Sequence, residues 1–172
     1  MKLNIGSNNK TIDGFKNVDI IDGPNVDIVT SAHNLSMIED ESVDEILAEH
    51  LLEHLTFYQA NRALAEWYRV LKINGILTIE VPDLEGLCAA FISATSYQRF
   101  QSNQGHWGLI HHLYGHQQGR SEEENLAQTH KSGYTLDRLK EMLWGSGFRF
   151  AQKCIPVKQT PGACVIRVEA IK

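Results

Sequence analysis

The sequence has little cysteine, little proline and no long hydrophobic run. Its three cysteines, Cys88, Cys154 and Cys164, lie far apart without a Cys-x-x-Cys pair, which argues against a disulfide framework and against a structural zinc site. Four prolines and 13 glycines among 172 residues are too few for a fibrous chain. No apolar run approaches the roughly 18 residues that span a bilayer, and the first residues lack the apolar core of a signal peptide. We therefore expect a cytoplasmic protein without a membrane partner.

Basic residues are in the minority. Sixteen Lys and Arg against 21 Asp and Glu give a formal net charge of −5, and no basic stripe is present that could release counterions from a phosphate backbone. We therefore expect a small molecule or another protein as partner and no nucleic acid. The hydrophobic fraction of 42% is ordinary for a folded chain, and 172 residues favour a single domain over 1–172. A homo-oligomer stays open.

Short apolar runs alternate with amphipathic segments along the chain. Period-two and continuous apolar patterns predict strands at 2–5, 17–21, 27–30, 45–48, 76–82, 148–155 and 164–171. Helical spacing predicts helices at 56–71, 84–97 and 135–144, with Trp67 and Trp144 on apolar faces. Residues 98–130 have weak periodicity, and we expect a loop with a short helix at 121–128. This order predicts a mostly parallel α/β sheet that ends in an antiparallel hairpin around 156–162.

A glycine turn, Gly6-Ser7-Asn8, follows the first predicted strand. Backbone N–H groups after such a glycine can cradle an anionic group, and an acid at the end of the neighbouring strand can accept both hydroxyls of a ribose. Asp19 stands at that place, 13 positions after Gly6, which leaves little room for a crossover helix. One glycine and one acid fit a nucleotide site, and they fit an ordinary solvated turn equally well.

The order of the segments resembles the small class I S-adenosylmethionine-dependent methyltransferases. The resemblance is carried by LNIGSNNK, NVD, SAHNLSMIEDESVDEI, EHLLEHL, EWYRVLKINGILTIEVPD and SGYTLDRLKEMLWGSGF. These are similar to the family's glycine motif, ribose-binding acid, adenine loop, strand-four end, helix-to-strand segment and late helix. The resemblance spans nearly the whole chain and is weakest over 98–130. It implies a Rossmann-like, mostly parallel seven-stranded sheet that ends in an antiparallel hairpin, with helices on both faces. It also implies S-adenosylmethionine as methyl donor.

The resemblance assigns roles to the matched residues. The cofactor-binding residues that it implies are Asn4, Gly6, Ser7, Asn8, Asp19, Ile20, Asn34, Leu35, Glu49 and His50. The backbone of the glycine turn would bind the methionine carboxylate, and Asp19 would hold the ribose hydroxyls while Ile20 packs on the adenine. Residues 34–35 would border the adenine. Glu49 and His50, just past the fourth strand, would line the mouth toward which the sulfonium methyl points.

Two positions depart from the family's pattern. Asn8 stands where the second glycine of G-x-G is usual, and asparagine tolerates a positive φ better than most residues. Ser31 stands where the family often has an acid for the adenine amino group. Almost nothing precedes the first strand, where the family often has a helix that covers the cofactor. These departures leave a second interpretation open, a non-catalytic binding module on the same fold.

The segment His50-Leu51-Leu52-Glu53-His54 has the H-x-x-E-H spacing of the inverted zinc proteases. Histidines at i and i+4 of a helix can share a metal ion while the glutamate activates its water. This spacing makes a zinc hydrolase a further alternative. The competing interpretation is a strand-end turn that enters the next helix with its leucines in the core. We favour the turn and expect no metal.

Five of the eight histidines fall in one part of the sequence: His106, His111, His112, His116 and His130. The segments LYGHQ and HKSGY resemble segments of sugar- and polysaccharide-associated methyltransferases. An insertion over 98–130, after the fifth strand, would shape the acceptor pocket, with Trp107 in it. We predict that His111, His116 or His130 is catalytic and binds or deprotonates an acceptor hydroxyl of a small molecule or a sugar. The alternative is a polar loop that packs on itself.

Overall fold

The chain folds around a seven-stranded sheet with the strand order β3-β2-β1-β4-β5-β7-β6. The structure is a computed structural model that describes residues 1–100, 108–116, 121–156 and 164–172. The strands are β1 Lys2–Ile5, β2 Phe15–Asp19, β3 Ile28–Val29, β4 Val43–Glu49, β5 Leu71–Pro82, β6 Arg149–Cys154 and β7 Val165–Ile171. The first five run parallel, and β7 pairs antiparallel with both β5 and β6. The predicted sheet is confirmed, and most of its predicted hairpin turn lies outside the described residues.

Six α-helices and one 3-10 helix accompany the sheet in the described part of the chain. They are the 3-10 helix Leu52–His54, α1 Phe57–Val70, α2 Leu84–Ser93, α3 Ser96–Phe100, α4 Leu109–Tyr114, α5 Glu122–Gln128 and α6 Leu136–Gly145. The helix predicted at 84–97 is two helices, because the backbone at Ala94 is extended and Thr95 starts α3 as its cap. Over these described ranges every helix is too short or too polar to cross a bilayer.

Helix α1 follows from its sequence. The Thr56 hydroxyl accepts from the Gln59 backbone N–H while the Gln59 side chain accepts from the Thr56 N–H, which makes a capping box. Its buried side chains fall at helical spacing on one face: Ala60, Ala63, Leu64, Trp67 and Val70. The Trp67 indole N–H donates to the Ala32 carbonyl at 2.9 Å, so the largest core side chain keeps its polar atom paired.

Helix α6 packs into the same apolar core as α1. Leu139, Met142 and Leu143 are buried in one cluster with Trp67 and the apolar residues of the sheet. Trp144 is 56% exposed, so the prediction that it lies in the core is wrong. It follows Leu143 by one residue, and a helix turns each successive side chain by about 100° away from the buried face.

The first three strands are connected without helices. The connections that follow β1, β2 and β3 are fully described and contain no helix. For the first of them, the short spacing from Gly6 to Asp19 led us to expect this. On the face away from α1 the strands instead carry polar side chains that bond to each other. The Asn4 amide donates to Asn17 at 2.9 Å, and Arg167 lies beside Glu80 in the antiparallel ladder.

Candidate functional site

A cavity of about 600 Å³ lies at the carboxyl ends of β1, β4 and β5, the edge where open α/β sheets bind ligands. Six of the ten predicted cofactor residues line it: Asn4, Gly6, Ser7, Asn8, Glu49 and His50. All three histidines predicted to be catalytic, His111, His116 and His130, line it as well. The fold therefore brings together two groups of residues that the sequence places about 60 or more positions apart. His106 and Trp107 lie outside the described residues.

The glycine turn is tightly built. Gly6 has a φ of +72°, and a Cβ there would lie 2.8 Å from the Leu51 side chain, so any other residue would be strained and would displace Leu51. Asn8 takes a φ of +44° in place of the family's second glycine. The Gly6 and Ser7 N–H groups donate to the Val18 carbonyl at 2.8 and 3.3 Å. The Ser7 hydroxyl is buried, lines the cavity and has no hydrogen-bond partner among the described residues.

Asp19 lies directly behind the turn rather than in the cavity wall. Its carboxylate accepts from the Asn8 N–H at 2.8 Å and from the Ile21 N–H at 3.0 Å. Ile20 beside it is 68% exposed, a large apolar side chain on the surface at the end of β2. Asp19 thus couples the glycine turn to the neighbouring strand and leaves an apolar surface next to both.

The predicted adenine-binding residues differ in their accessibility. Asn34 is exposed. Leu35 is fully buried in the core, and its N–H donates to the Glu66 carboxylate at 2.9 Å. Asn34, Leu35, Asp19 and Ile20 all lie outside the cavity wall. The side chain of Leu35 therefore cannot contact the adenine, and Leu35 would affect adenine binding only by fixing the position of the backbone around it.

Charged side chains that the sequence analysis missed surround Glu49. Lys10, from the loop after β1, forms an ion pair with Glu49. Arg167, from β7, contacts Glu49 at 2.9 Å and Glu80 at 3.1 Å. Burial by itself raises the pKa of Glu49, but the hydrogen bonds from Lys10 and Arg167 outweigh it, and the pKa lies below its usual value. Glu49 is therefore ionised near neutral pH.

His50 is held by two acids at the end of β4. Its Nδ1 lies 3.2 Å from Glu53 and its Nε2 lies 3.5 Å from Glu80. The hydrogen bond with Glu53 raises the pKa of His50 against the opposing effect of burial. His50 has a φ of +51°, and only Leu52–His54 form a single 3-10 turn. The H-x-x-E-H segment therefore does not place His50 and His54 on one face of an α-helix, as a zinc protease requires.

Burial affects three other histidines of the cavity, His54, His112 and His130. The rings of His54 and His130 meet edge to face with centroids 4.9 Å apart. Burial lowers the pKa of His54, His112 and His130, so these imidazoles are neutral near pH 7. The cavity has an acidic, ion-paired side at the strand ends and an imidazole-rich side next to α4 and α5.

Comparison with known proteins finds a family model that matches part of the chain. The model of the family described as "Methyltransferase domain" matches residues 11–79. Over these residues the chain is similar to the class I S-adenosylmethionine-dependent methyltransferases. S-adenosylmethionine is the methyl donor that this match and the solved structures described next support. No curated protein matches the sequence significantly.

Solved structures of methyltransferases share the fold of this chain at low sequence identity. A possible histamine N-methyltransferase from Thermotoga maritima has a TM-score of 0.62 at 16% identity, over 99% of this chain and 81% of that one. The 1,6-didemethyltoxoflavin-N1-methyltransferase of Burkholderia thailandensis, solved with S-adenosylhomocysteine, gives 0.63 at 16%, over 99% and 70%. A methyltransferase from Archaeoglobus fulgidus gives 0.60 at 17%, over 99% and 85%.

Proposed function

We propose that this domain transfers the methyl group of S-adenosylmethionine to a small-molecule acceptor bound under α4 and α5. The observation that carries the proposal is the single cavity that joins the glycine turn and Glu49 to His111, His116 and His130. Its volume of about 600 Å³ lies within the roughly 300–1,000 Å³ of small-molecule sites. The cofactor's amino-acid end and the acceptor would meet in this cavity, and the adenosine would lie along the end of β2.

The residues present fit the cofactor's charges. The amino-acid end of S-adenosylmethionine carries one carboxylate and one ammonium group, and Lys10 and Glu49 offer the two complementary charges within one ion pair. The buried Ser7 hydroxyl supplies a further donor for the carboxylate. The Asp19 carboxylate would accept from the ribose hydroxyls, and exposed Ile20 offers an apolar surface for the adenine.

The chemistry asks the protein mainly for position. The positive sulfur activates the methyl carbon, so a lone pair of the acceptor attacks in line, the S–CH₃ bond breaks and its electron pair stays on sulfur to give S-adenosylhomocysteine. Holding the two reactants in that geometry supplies most of the acceleration. An acceptor hydroxyl must also lose its proton, and an imidazole of the cavity wall, His111, His116 or His130, would take it. His111 and His116 line the same part of the cavity and would orient the acceptor.

A sugar or polysaccharide-related hydroxyl is the acceptor class that we propose. It is supported by the resemblance of LYGHQ and HKSGY to segments of sugar-associated methyltransferases and by the polar, imidazole-rich wall at that place. Hydroxyl-rich acceptors suit such a wall because imidazole nitrogens both donate and accept hydrogen bonds.

Thermal unfolding with and without cofactor tests the proposal. Ligand at about 100 times its Kd adds roughly 2.7 kcal/mol, which for this size is a rise in Tm on the order of 5–10 °C. We expect this rise with S-adenosylmethionine and with S-adenosylhomocysteine. Asp19→Asn should lose it, since the variant keeps an oxygen for the Asn8 N–H but loses the charge and one acceptor for the ribose. The control is Asp13→Ala, an exposed acid in the preceding loop, which should keep the rise.

The outcomes separate the alternatives. Wild-type protein that shows no rise with either ligand would overturn the cofactor site. A rise without formation of S-adenosylhomocysteine, measured over a panel of sugar acceptors, would instead support the non-catalytic binding module. Turnover that depends on a sugar hydroxyl and falls in His130→Gln would support both halves of the proposal.

A further inference from the structure

Three side chains with metal-binding groups converge at the histidine side of the cavity. Glu53 and His54 come from the 3-10 helix, and His130 follows α5. One potential ligand atom from each lies within 4.8 Å of the other two. All three residues line the cavity. Two imidazoles and one carboxylate are a donor set that catalytic zinc sites use, with one further coordination position left for water or substrate.

Two of these ligand groups carry atoms that the protein leaves without a partner. Glu53 is 2% exposed, and its Oε1 faces His50, while its Oε2 is buried and makes no hydrogen bond within the described chain. The Nδ1 of His54 is buried and unpartnered in the same sense. Leaving a buried carboxylate oxygen and a ring nitrogen unsatisfied is costly. A cation between them would satisfy both.

Backbone hydrogen bonds hold the two ligand-bearing segments together. The Glu53 carbonyl accepts from the Lys131 N–H at 2.7 Å and from the Ser132 N–H at 3.2 Å. The Lys131 ammonium donates to the His54 carbonyl at 3.0 Å. The backbone segments that carry the three ligands are therefore held together before any ion binds, and only the side chains need to move.

Close packing of α4 fixes the third ligand. The His130 N–H donates to the Tyr114 carbonyl at 3.1 Å. A Cβ at Gly115 would lie 2.1 Å from the Gln128 carbonyl oxygen and 2.8 Å from the His130 nitrogen. Glycine at 115 thus permits a backbone approach that a side chain would prevent, and this approach sets the position of His130.

We propose that Glu53, His54 and His130 bind a Zn²⁺ ion whose remaining coordination position opens into the cavity. Two ligand atoms in a tetrahedral Zn²⁺ shell lie about 3.3–3.6 Å apart, given bonds of about 2.0–2.2 Å. The three atoms lie within 4.8 Å of one another, so side-chain rotations that bring them up to about 1.5 Å closer complete the shell. His50 stays outside it, because Glu53 and Glu80 engage both of its ring nitrogens. The site therefore differs from the H-x-x-E-H arrangement, in which His50 would be a ligand.

The open coordination position of the ion indicates which class of ligand it would bind. Resting on the proposed function, it would take the acceptor's hydroxyl oxygen, and a hydroxyl bound to Zn²⁺ releases its proton more readily than a free one. His111 or His116 of the same cavity would take this proton, since His130 is then a ligand of the ion. The ion would then orient the acceptor oxygen at the end of the cavity opposite the glycine turn.

Metal titration of chelator-treated protein, without any cofactor, tests the site. We expect calorimetry to show one Zn²⁺ bound per chain, and Co²⁺ to give the visible absorption of a low-coordinate nitrogen and oxygen site. Glu53→Gln and His130→Ala should each weaken Zn²⁺ binding by more than the roughly 10–100-fold that loss of an outer hydrogen-bond partner costs. His33→Gln is the matched control, since His33 does not line the cavity, and it should bind Zn²⁺ as the wild type does.

Wild-type protein that binds no Zn²⁺, or Glu53→Gln protein that binds it with unchanged affinity, would overturn the proposal. Glu53→Gln conserves shape, so it decides the matter even if His130→Ala fails to fold, which circular dichroism would reveal. The rise in Tm with S-adenosylhomocysteine is measured on the same samples. A lost metal site with that rise intact overturns this inference alone, and the reverse result overturns the cofactor site alone.

Discussion

Lys10 and Glu49 meet at the wall of the cavity, where the cofactor's amino-acid end is expected. Lys10 comes from the loop after β1, and its side chain is 54% exposed, while that of Glu49 is 19% exposed and also bound by Arg167. The pair presents one positive and one negative group at the place where the carboxylate and ammonium of the cofactor require the opposite signs. A bound amino-acid end would therefore exchange this ion pair for two new ones.

Replacement of Lys10 should weaken binding of the cofactor's amino-acid end and leave binding of its adenosine end unchanged. Lys10→Met should weaken the binding of S-adenosylhomocysteine about fivefold, because a partly exposed ion pair contributes up to about 1 kcal/mol. Binding of 5′-methylthioadenosine, which lacks the carboxylate, should not change. Calorimetric titration with both ligands measures this difference. Lys16→Met is the control, as Lys16 is exposed on β2 and outside the cavity.

Equal weakening of both ligands by Lys10→Met would contradict this assignment and point to a general loss of the glycine turn. Neither Lys10 nor Arg167 was predicted from the sequence. Arg167 is 118 positions from Glu49, and its place depends on β7 lying beside β5. Such a contact has no local signature in the residues themselves.

Two helices begin with the same hydrogen-bond pattern but differ in what they bury. Thr56 and Gln59 form a capping box at α1, and Thr95 and Gln98 exchange the same bonds at α3. Helix α1 contributes five buried side chains, including Trp67, whereas α3 has none. The two helices therefore have the same N-terminal hydrogen bonds, but only α1 packs into the core.

The effect of removing each cap should follow the burial. Thr56→Ala should lower the free energy of unfolding by about 1 kcal/mol, a fall in Tm of roughly 2–4 °C at this size. Thr95→Ala should leave the global transition unchanged, because α3 can open locally without exposing the core. Urea and thermal unfolding of both variants measure this. An equal loss in the two variants would show that α3 is part of the cooperative core.

The same contrast explains which elements the sequence predicted well. The strong apolar period and the capping threonine predicted α1 to within one residue at each end. The helical pattern at 84–97 continues across the break between α2 and α3, because neither Ala94 nor Thr95 is a glycine or a proline. The sequence therefore predicted one helix where the structure has two. Strand β5 begins at Leu71, five residues before its prediction, since α1 passes directly into it.

One network holds the connection between β3 and β4 against α1. The Glu66 carboxylate accepts from the Leu35 N–H and from Arg69, and Arg69 donates to the carbonyls of Leu35 and Ile38. The hydrogen bond from Arg69 lowers the pKa of Glu66. A carboxyl whose pKa is lower in the folded state stabilises the fold above its unfolded pKa, and that stability is lost as pH falls through the folded value.

Below neutral pH, the free energy of unfolding should depend on the ionisation of Glu66. Glu66→Gln should cost roughly 1–2 kcal/mol near pH 7 and less as the pH falls below 4.5, so wild type and variant should converge in acid. Urea unfolding between pH 7 and pH 3 measures both curves. Glu39→Gln, an exposed carboxyl in the same connection, is the control and should run parallel to the wild type. A Glu66→Gln curve that also runs parallel would contradict the role of its ionised form.

The sequence by itself determined the elements, the strand pairing class and the place of the glycine turn, because periodicity, caps and turn residues act over a few positions. The ordered segments then pointed to the class I methyltransferase fold. Only the tertiary structure decided the composition of the cavity. Glu53 and His54 lie close to His130 in space, although His130 comes 77 positions after Glu53 in the sequence. Contacts at that distance depend on the packing of several elements at once, so no local pattern of residues specifies them.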